Sequence, residues 1–131
     1  QLDRVLMIYH KLYNSWSWTG GHMDGDLNFL EVATKEAKEE TGLINLKLYS
    51  ETPVSIESLP VWFHIKHDKP ISSHLHLNVS YVFIASDTEK LILNAVETEG
   101  LKWILIKDLK DYVSEPDMIP IYEKIIKRVM I

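Results

Sequence analysis

Residues 21–43 read GHMDGDLNFLEVATKEAKEETGL, and this stretch decides the fold. A glycine-broken loop runs directly into a segment of helical period. Phe29, Leu30, Ala33 and Ala37 fall on one side of that segment, which predicts an amphipathic helix over 29–41. Asn28 suits the N-cap, with Glu31 three residues later at capping-box spacing. Gly42 is a natural residue for the left-handed turn that ends a helix. On a wheel of about 100° per residue, Glu31, Lys35 and Lys38 face away from the apolar side. Glu36 and Glu40 do not join them: they flank the apolar stripe, and Glu39 lies nearer solvent. Three carboxylates at i, i+3 and i+4 near a helix C-terminus repel one another and oppose the macrodipole.

A solvated face explains part of this. Glu31, Lys35 and Glu39 are spaced for i, i+4 ion pairs, each contributing roughly 0.2–0.5 kcal/mol. Glu36 and Glu40 need another account, because a partly buried carboxylate requires a partner. A divalent cation supplies one. Mg²⁺ takes one or two carboxylates, keeps several waters and binds substrate phosphates. The Gly20-Gly21-His22 turn just upstream can bring backbone groups to the same ion.

The rest of the chain sets bounds. Its 131 residues fit one domain, 1–131, long enough to bury a core. With 46% hydrophobic and 25% charged residues, the composition is that of a globular protein. A net charge of −5 without a basic stripe argues against a nucleic-acid polymer as partner, but leaves room for a nucleotide in a local site. There are no cysteines, which removes thiol catalysis, disulfides and thiolate metal sites and agrees with a reducing cytoplasm. No apolar run reaches the ~18 residues of a membrane span. The sequence starts at Gln1, almost directly on a strand-like run, so an upstream strand is expected to have been left out.

Strands are expected at 5–9, 16–18, 46–49, 60–65, 75–85 and 101–106, with 52–57 extended and a turn at 67–70. In 75–85, Leu75, Leu77, Val79, Tyr81 and Phe83 share one face; if that face is core, the opposite face is free to line a cleft. His74, His76, Asn78 and Ser80 share the other, and this polar row is a candidate cleft lining. His74-x-His76 could also hold zinc, but no third ligand is evident. Ile121, Tyr122, Ile125, Ile126 and Val129 predict a last amphipathic helix, with Asp117 as cap and Pro120 in its first turn. Strands on both sides of the central helix, with a terminal helix, suggest an α/β fold in which a mixed sheet lies between helices. Trp18, Trp62 and Phe63 are candidates to stack on a base, although aromatic residues are more often core.

With these residues in view, 21–43 resembles the Nudix box of the Nudix (MutT-like) hydrolases, G-x5-E-x7-R-E-U-x-E-E-x-G-U with U aliphatic. Gly21 matches the leading glycine, Glu36 the E after the arginine, Glu39 and Glu40 the E-E pair, and Gly42-Leu43 the end. Two positions depart: Leu27 stands where the first Glu is expected and Lys35 where Arg is expected. In the family these two form a structural ion pair; here both are changed, which is gentler than leaving one charge alone. Lys35 lacks the bidentate fork of an arginine, and Asp24 or Asp26 are candidates to compensate.

The resemblance implies a Nudix fold, an α/β/α sandwich over nearly the whole chain. It implies Mg²⁺-dependent hydrolysis of a diphosphate linkage in a nucleoside diphosphate derivative, with Mn²⁺ as a substitute. Glu36, Glu39, Glu40 and the Gly21 carbonyl are then the metal ligands. Glu36 and Glu40 are also catalytic candidates, Glu36 by orienting or deprotonating water. Glu97, ahead of Trp103, is a candidate general base or further ligand, or a solvated loop acid. His22, His74, His76 and Asn78 are the candidate substrate contacts. The expected partner is a nucleotide-type small molecule, and the expected state a monomer or homodimer in the cytoplasm. The alternative is a non-catalytic nucleotide- or ADP-ribose-binding module, which Leu27 and Lys35 favour.

Overall fold

Val5, Met7 and Ile104 are apolar residues on strands that meet at the centre of the molecule. In the computed structural model, which describes residues 3–10, 15–21, 23, 25–61, 64–66, 68–94 and 98–130, β1 (Arg4–His10) runs between β2 (Ser15–Ser17) and β9 (Thr98–Leu105). Both pairings are antiparallel, with Leu6 opposite Trp103 and Tyr9 opposite Trp16. Neighbouring residues Met7 and Ile8 are each 1% exposed, so β1 is covered on both faces, as its unbroken apolar run predicts. The register shifts at Tyr9/His10, where Thr98 rather than Glu99 meets His10. This is a β-bulge, which bends β9 where it begins.

Met7 and Ile104 pack with Leu109, Val113 and Tyr122. Leu109 and Val113 belong to or follow α2 (Leu109–Tyr112), and Tyr122 belongs to α3 (Ile119–Met130). The predicted last helix is therefore present and turns its apolar side to the sheet, with Tyr122 and Ile125 buried. Pro120 lies in its first turn. Asp117 is not its cap, because residues Pro116–Met118 form a separate 3-10 turn ahead of it.

The middle of the chain is more divided than its hydrophobic runs suggest. The expected strand 60–65 is β4 (Ser55–Val61) followed by β5 (His64–Lys66), which pairs with β6 (Lys69–Ile71). Asp68 occupies the turn with φ 62°, a left-handed conformation that aspartate tolerates better than most residues; His67 lies outside the described residues. The expected strand 75–85 is likewise two strands. β7 (His74–Ser80) pairs with β4, and β8 (Phe83–Ile84) pairs with β3 (Lys47–Leu48). In the outer half of β7 the apolar face is not core: Leu75 is 72% and Leu77 74% exposed, while His76 and Asn78 are half-buried. Alternation assigns residues to two faces but does not say which face gains a cover. All ladders among the described residues are antiparallel.

The α3 helix is tied to β4 by polar contacts. Lys124 Nζ donates to Glu57 Oε1 at 2.5 Å, Ser55 Oγ donates to the same oxygen, and the Arg128 guanidinium donates to the Val54 carbonyl. The Lys124 hydrogen bond, and after it the one from Ser55, lower the Glu57 carboxyl below its ordinary value.

Candidate active site at the end of the acidic helix

The acidic helix, α1, spans Phe29–Thr41, the predicted range. The Asn28 side chain accepts from the Glu31 N–H at 3.0 Å, as a cap should. The reciprocal half of the capping box is absent: the Asn28 N–H donates instead to Asp26 Oδ1 at 2.9 Å. Asp26 is thus engaged at the cap, and among the described residues no ion pair joins it to Lys35. Asp24 lies outside the described residues. Leu27 is 91% exposed and Lys35 is exposed, so the two substituted positions carry no buried charge between them. Gly42 closes the helix with φ 75° and donates to the Lys38 carbonyl at 2.8 Å.

The helix sorts its glutamates as the wheel predicts. Glu31, Lys35, Lys38 and Glu39 are exposed, Glu36 is half-buried, and Glu40 is 8% exposed. Glu40 is held by the loop upstream of the helix, where Gly20 N–H donates to its Oε1 at 2.8 Å. Glu36 lies against the next residue. A Cβ placed on Gly21 would sit 2.6 Å from Glu36 Cδ, so only glycine leaves room for the carboxylate there. Two glutamates one helical turn apart thus converge on two successive glycines.

The apolar side of α1 does not meet a tightly packed surface. Phe29, Val32, Ala33 and Ala37 border a cavity of about 560 Å³, which Gly20, Gly21 and Asn78 also line. None of Glu36, Glu39 or Glu40 lines this cavity. The glycine loop is the wall they share: its residues border the cavity and also meet the two carboxylates. The indole N–H of Trp103, on the cavity wall, is buried without a hydrogen-bond partner among the described residues.

The expected substrate contacts separate. Asn78 lines the cavity and donates to Ser80 Oγ at 2.9 Å. His74 and His76 do not line it; their Nε2 atoms lie 2.7 Å apart. His74 Nδ1 contacts the Ser72 carbonyl at 2.6 Å. A carbonyl can only accept, so His74 Nδ1 carries a proton. With neutral rings, His74 Nε2 is then the acceptor from His76 Nε2–H. His22, Glu97, Trp62 and Phe63 lie outside the described residues. Trp18 is half-buried: it lines the cavity and packs edge-on against Tyr122, with ring centroids 4.6 Å apart.

The donor chemistry fits a hard divalent cation. The available groups are carboxylate and backbone oxygens, as Mg²⁺ or Mn²⁺ prefers. Among the described residues no three acidic or imidazole side chains yet enclose one point. Glu36 and Glu40 meet at the glycine loop, and Glu39 stands beside them in solvent.

Sequence reasoning did not single out Glu89. Its carboxylate accepts from the Ile44 N–H at 2.6 Å and the Asn45 N–H at 3.3 Å, just past the end of α1. The available signal was the Ser86-Asp-Thr-Glu89 turn, in which Ser86 Oγ accepts from the Thr88 N–H.

A NUDIX domain profile matches residues 2–129. Among solved structures, the chain is similar to a C. elegans Ap4A hydrolase in a binary complex, at 18% identity and a TM-score of 0.68. The match covers 97% of this chain and 86% of that one. No curated protein sequence matches.

Proposed function

The chain belongs to the Nudix family, and we propose that it hydrolyses a diphosphate linkage in a nucleoside diphosphate derivative, using Mg²⁺ with Mn²⁺ as a substitute. One observation carries the reading: Glu36 and Glu40, one turn apart on α1, are both brought against the Gly20–Gly21 backbone. A merely solvated helix face has no reason to place two carboxylates there. Glu36, Glu39, Glu40 and the Gly21 carbonyl would hold the metal. When bound, Mg²⁺ neutralises phosphate charge and lowers the pKa of coordinated water.

The remaining roles belong to the protein. Glu36 or Glu97 takes the proton of the attacking water. The Gly20 N–H fixes the Glu40 carboxylate, so its geometry does not depend on α1 alone. Asn78, which borders the same cavity as Gly20 and Gly21, is assigned to substrate binding together with His22, His74 and His76. The substrate is a small molecule rather than a nucleic-acid polymer, and the enzyme acts as a monomer or homodimer in the cytoplasm. Fold likeness to an Ap4A hydrolase adds dinucleotides to the substrates worth assaying.

The test is release of phosphate-containing products with Mg²⁺ across nucleotide sugars, dinucleotides and nucleoside triphosphates. Wild type is compared with Glu40→Gln. Turnover on one class that collapses in the variant supports the proposal. Tight ligand binding without metal-dependent turnover on any class would replace it with a binding module, the reading that Leu27 and Lys35 favour.

A further inference from the structure

We propose that the loop 86–92 is a clasp on the end of α1, with Glu89 as a positioning residue for Glu39 and Glu40. This rests on reading those glutamates as metal ligands. The end of α1 is electrostatically unfavourable, because two carboxylates lie where the macrodipole is negative. On its apolar side, Phe29, Val32, Ala33 and Ala37 border a cavity.

Every backbone N–H from Gly42 to Asn45 is engaged. Gly42 donates to the Lys38 carbonyl at 2.8 Å, and Leu43 to Thr41 Oγ1 at 3.2 Å. Ile44 and Asn45 both donate to the Glu89 carboxylate. From the same loop, the Ile92 N–H donates to the Thr41 carbonyl at 2.9 Å. The Ile92 side chain closes over Gly42, where a Cβ would lie 2.5 Å from Ile92 Cβ. Glu89 is itself set by a turn, its N–H reaching the Ser86 carbonyl at 3.3 Å. A connected path results: the loop fixes 41–45, these fix the last turn of α1, and that turn carries Glu39 and presents Glu40 to Gly20. Glu89 touches neither substrate nor metal on this reading.

Mn²⁺ titration followed by electron paramagnetic resonance reads the site without turnover. Amide hydrogen exchange at 42–45 reads the clasp. Wild type, Glu89→Gln, Glu89→Ala and Ile92→Ala are compared. Glu89→Ala is expected to weaken Mn²⁺ binding about tenfold, as for loss of an outer support to metal ligands, and to speed exchange at Ile44 and Asn45. Glu89→Gln keeps one acceptor oxygen and is expected to recover part of the affinity. If Glu89→Ala does not fold, Glu89→Gln and Ile92→Ala still carry the comparison. Faster exchange with Mn²⁺ affinity unchanged in these variants overturns the positioning role and leaves a structural one. Absence of Mn²⁺ binding in the wild type overturns the metal-ligand reading itself, and this role with it.

Discussion

Glu40 Oε1 accepts a hydrogen bond from the Gly20 N–H at 2.8 Å, joining the last turn of α1 to the loop that precedes the helix. The bond leaves a nearly buried carboxylate with a fixed orientation, where repulsion from Glu36 and Glu39 would otherwise turn it away. Glu40→Gln retains an acceptor oxygen but loses the charge. The weaker hydrogen bond is offset by relief of the repulsion from Glu36 and Glu39, so we expect little change in stability. Metal-dependent turnover should fall by roughly 10²–10⁴-fold. Thermal melts and product release on the same samples check this; activity that only tracks the folded fraction would refute it.

Gly21 and Gly42 should respond differently to alanine. At Gly21 the three atoms nearest the new methyl, Cδ, Oε1 and Cγ, all belong to the flexible Glu36 side chain, which can swing aside. Gly21→Ala should therefore keep its melting temperature and lose kcat. At Gly42 the methyl meets Ile92 Cβ at 2.5 Å and the Ile92 backbone nitrogen at 2.8 Å, on a residue with φ 75°. The left-handed conformation alone costs about 1–2 kcal/mol with a side chain, and overpacking adds to it. Chemical denaturation should show the larger loss in Gly42→Ala.

Glu57 makes stability depend on pH in one direction. Its carboxyl is held below the ordinary value of 4.5, first by the Lys124 hydrogen bond and then by Ser55. The folded state binds this proton less readily than the unfolded state. The stabilisation is therefore present above 4.5 and is lost as pH falls through the depressed value. The melting-temperature gap between wild type and Glu57→Gln should be widest near neutrality and close in acid. A gap independent of pH would contradict this.

Glu115 works the other way. Burial pushes its carboxyl above 4.5, and Asp117 adds to the shift. The folded state holds this proton more tightly, so ionised Glu115 destabilises the fold at neutral pH and the penalty disappears on acidification. Glu115→Gln should raise the melting temperature at pH 7 and leave it unchanged in acid. A loss of stability at pH 7 would show a favourable contact that outweighs burial.

Much of the site was legible before the fold was known. The bounds of α1 follow from Asn28, the apolar spacing and Gly42, all local signals. The split of Glu36 and Glu40 from Glu39 follows from angles on one helix. The pairing of Asn28 with Asp26 was hidden, because several acids near a cap compete for one N–H and only geometry chooses. The exposure of Leu75 and Leu77 was hidden for a related reason: period-2 alternation is blind to which face is covered.

The sequence by itself determined the acidic helix and its family, because residue type and spacing along one helix carry both. Tertiary structure decided what holds that helix in place. Gly20 precedes Glu40 by 20 residues, and Glu89 follows Ile44 by 45. Hydrogen bonds across such separations depend on where the chain returns, and no local pattern encodes that.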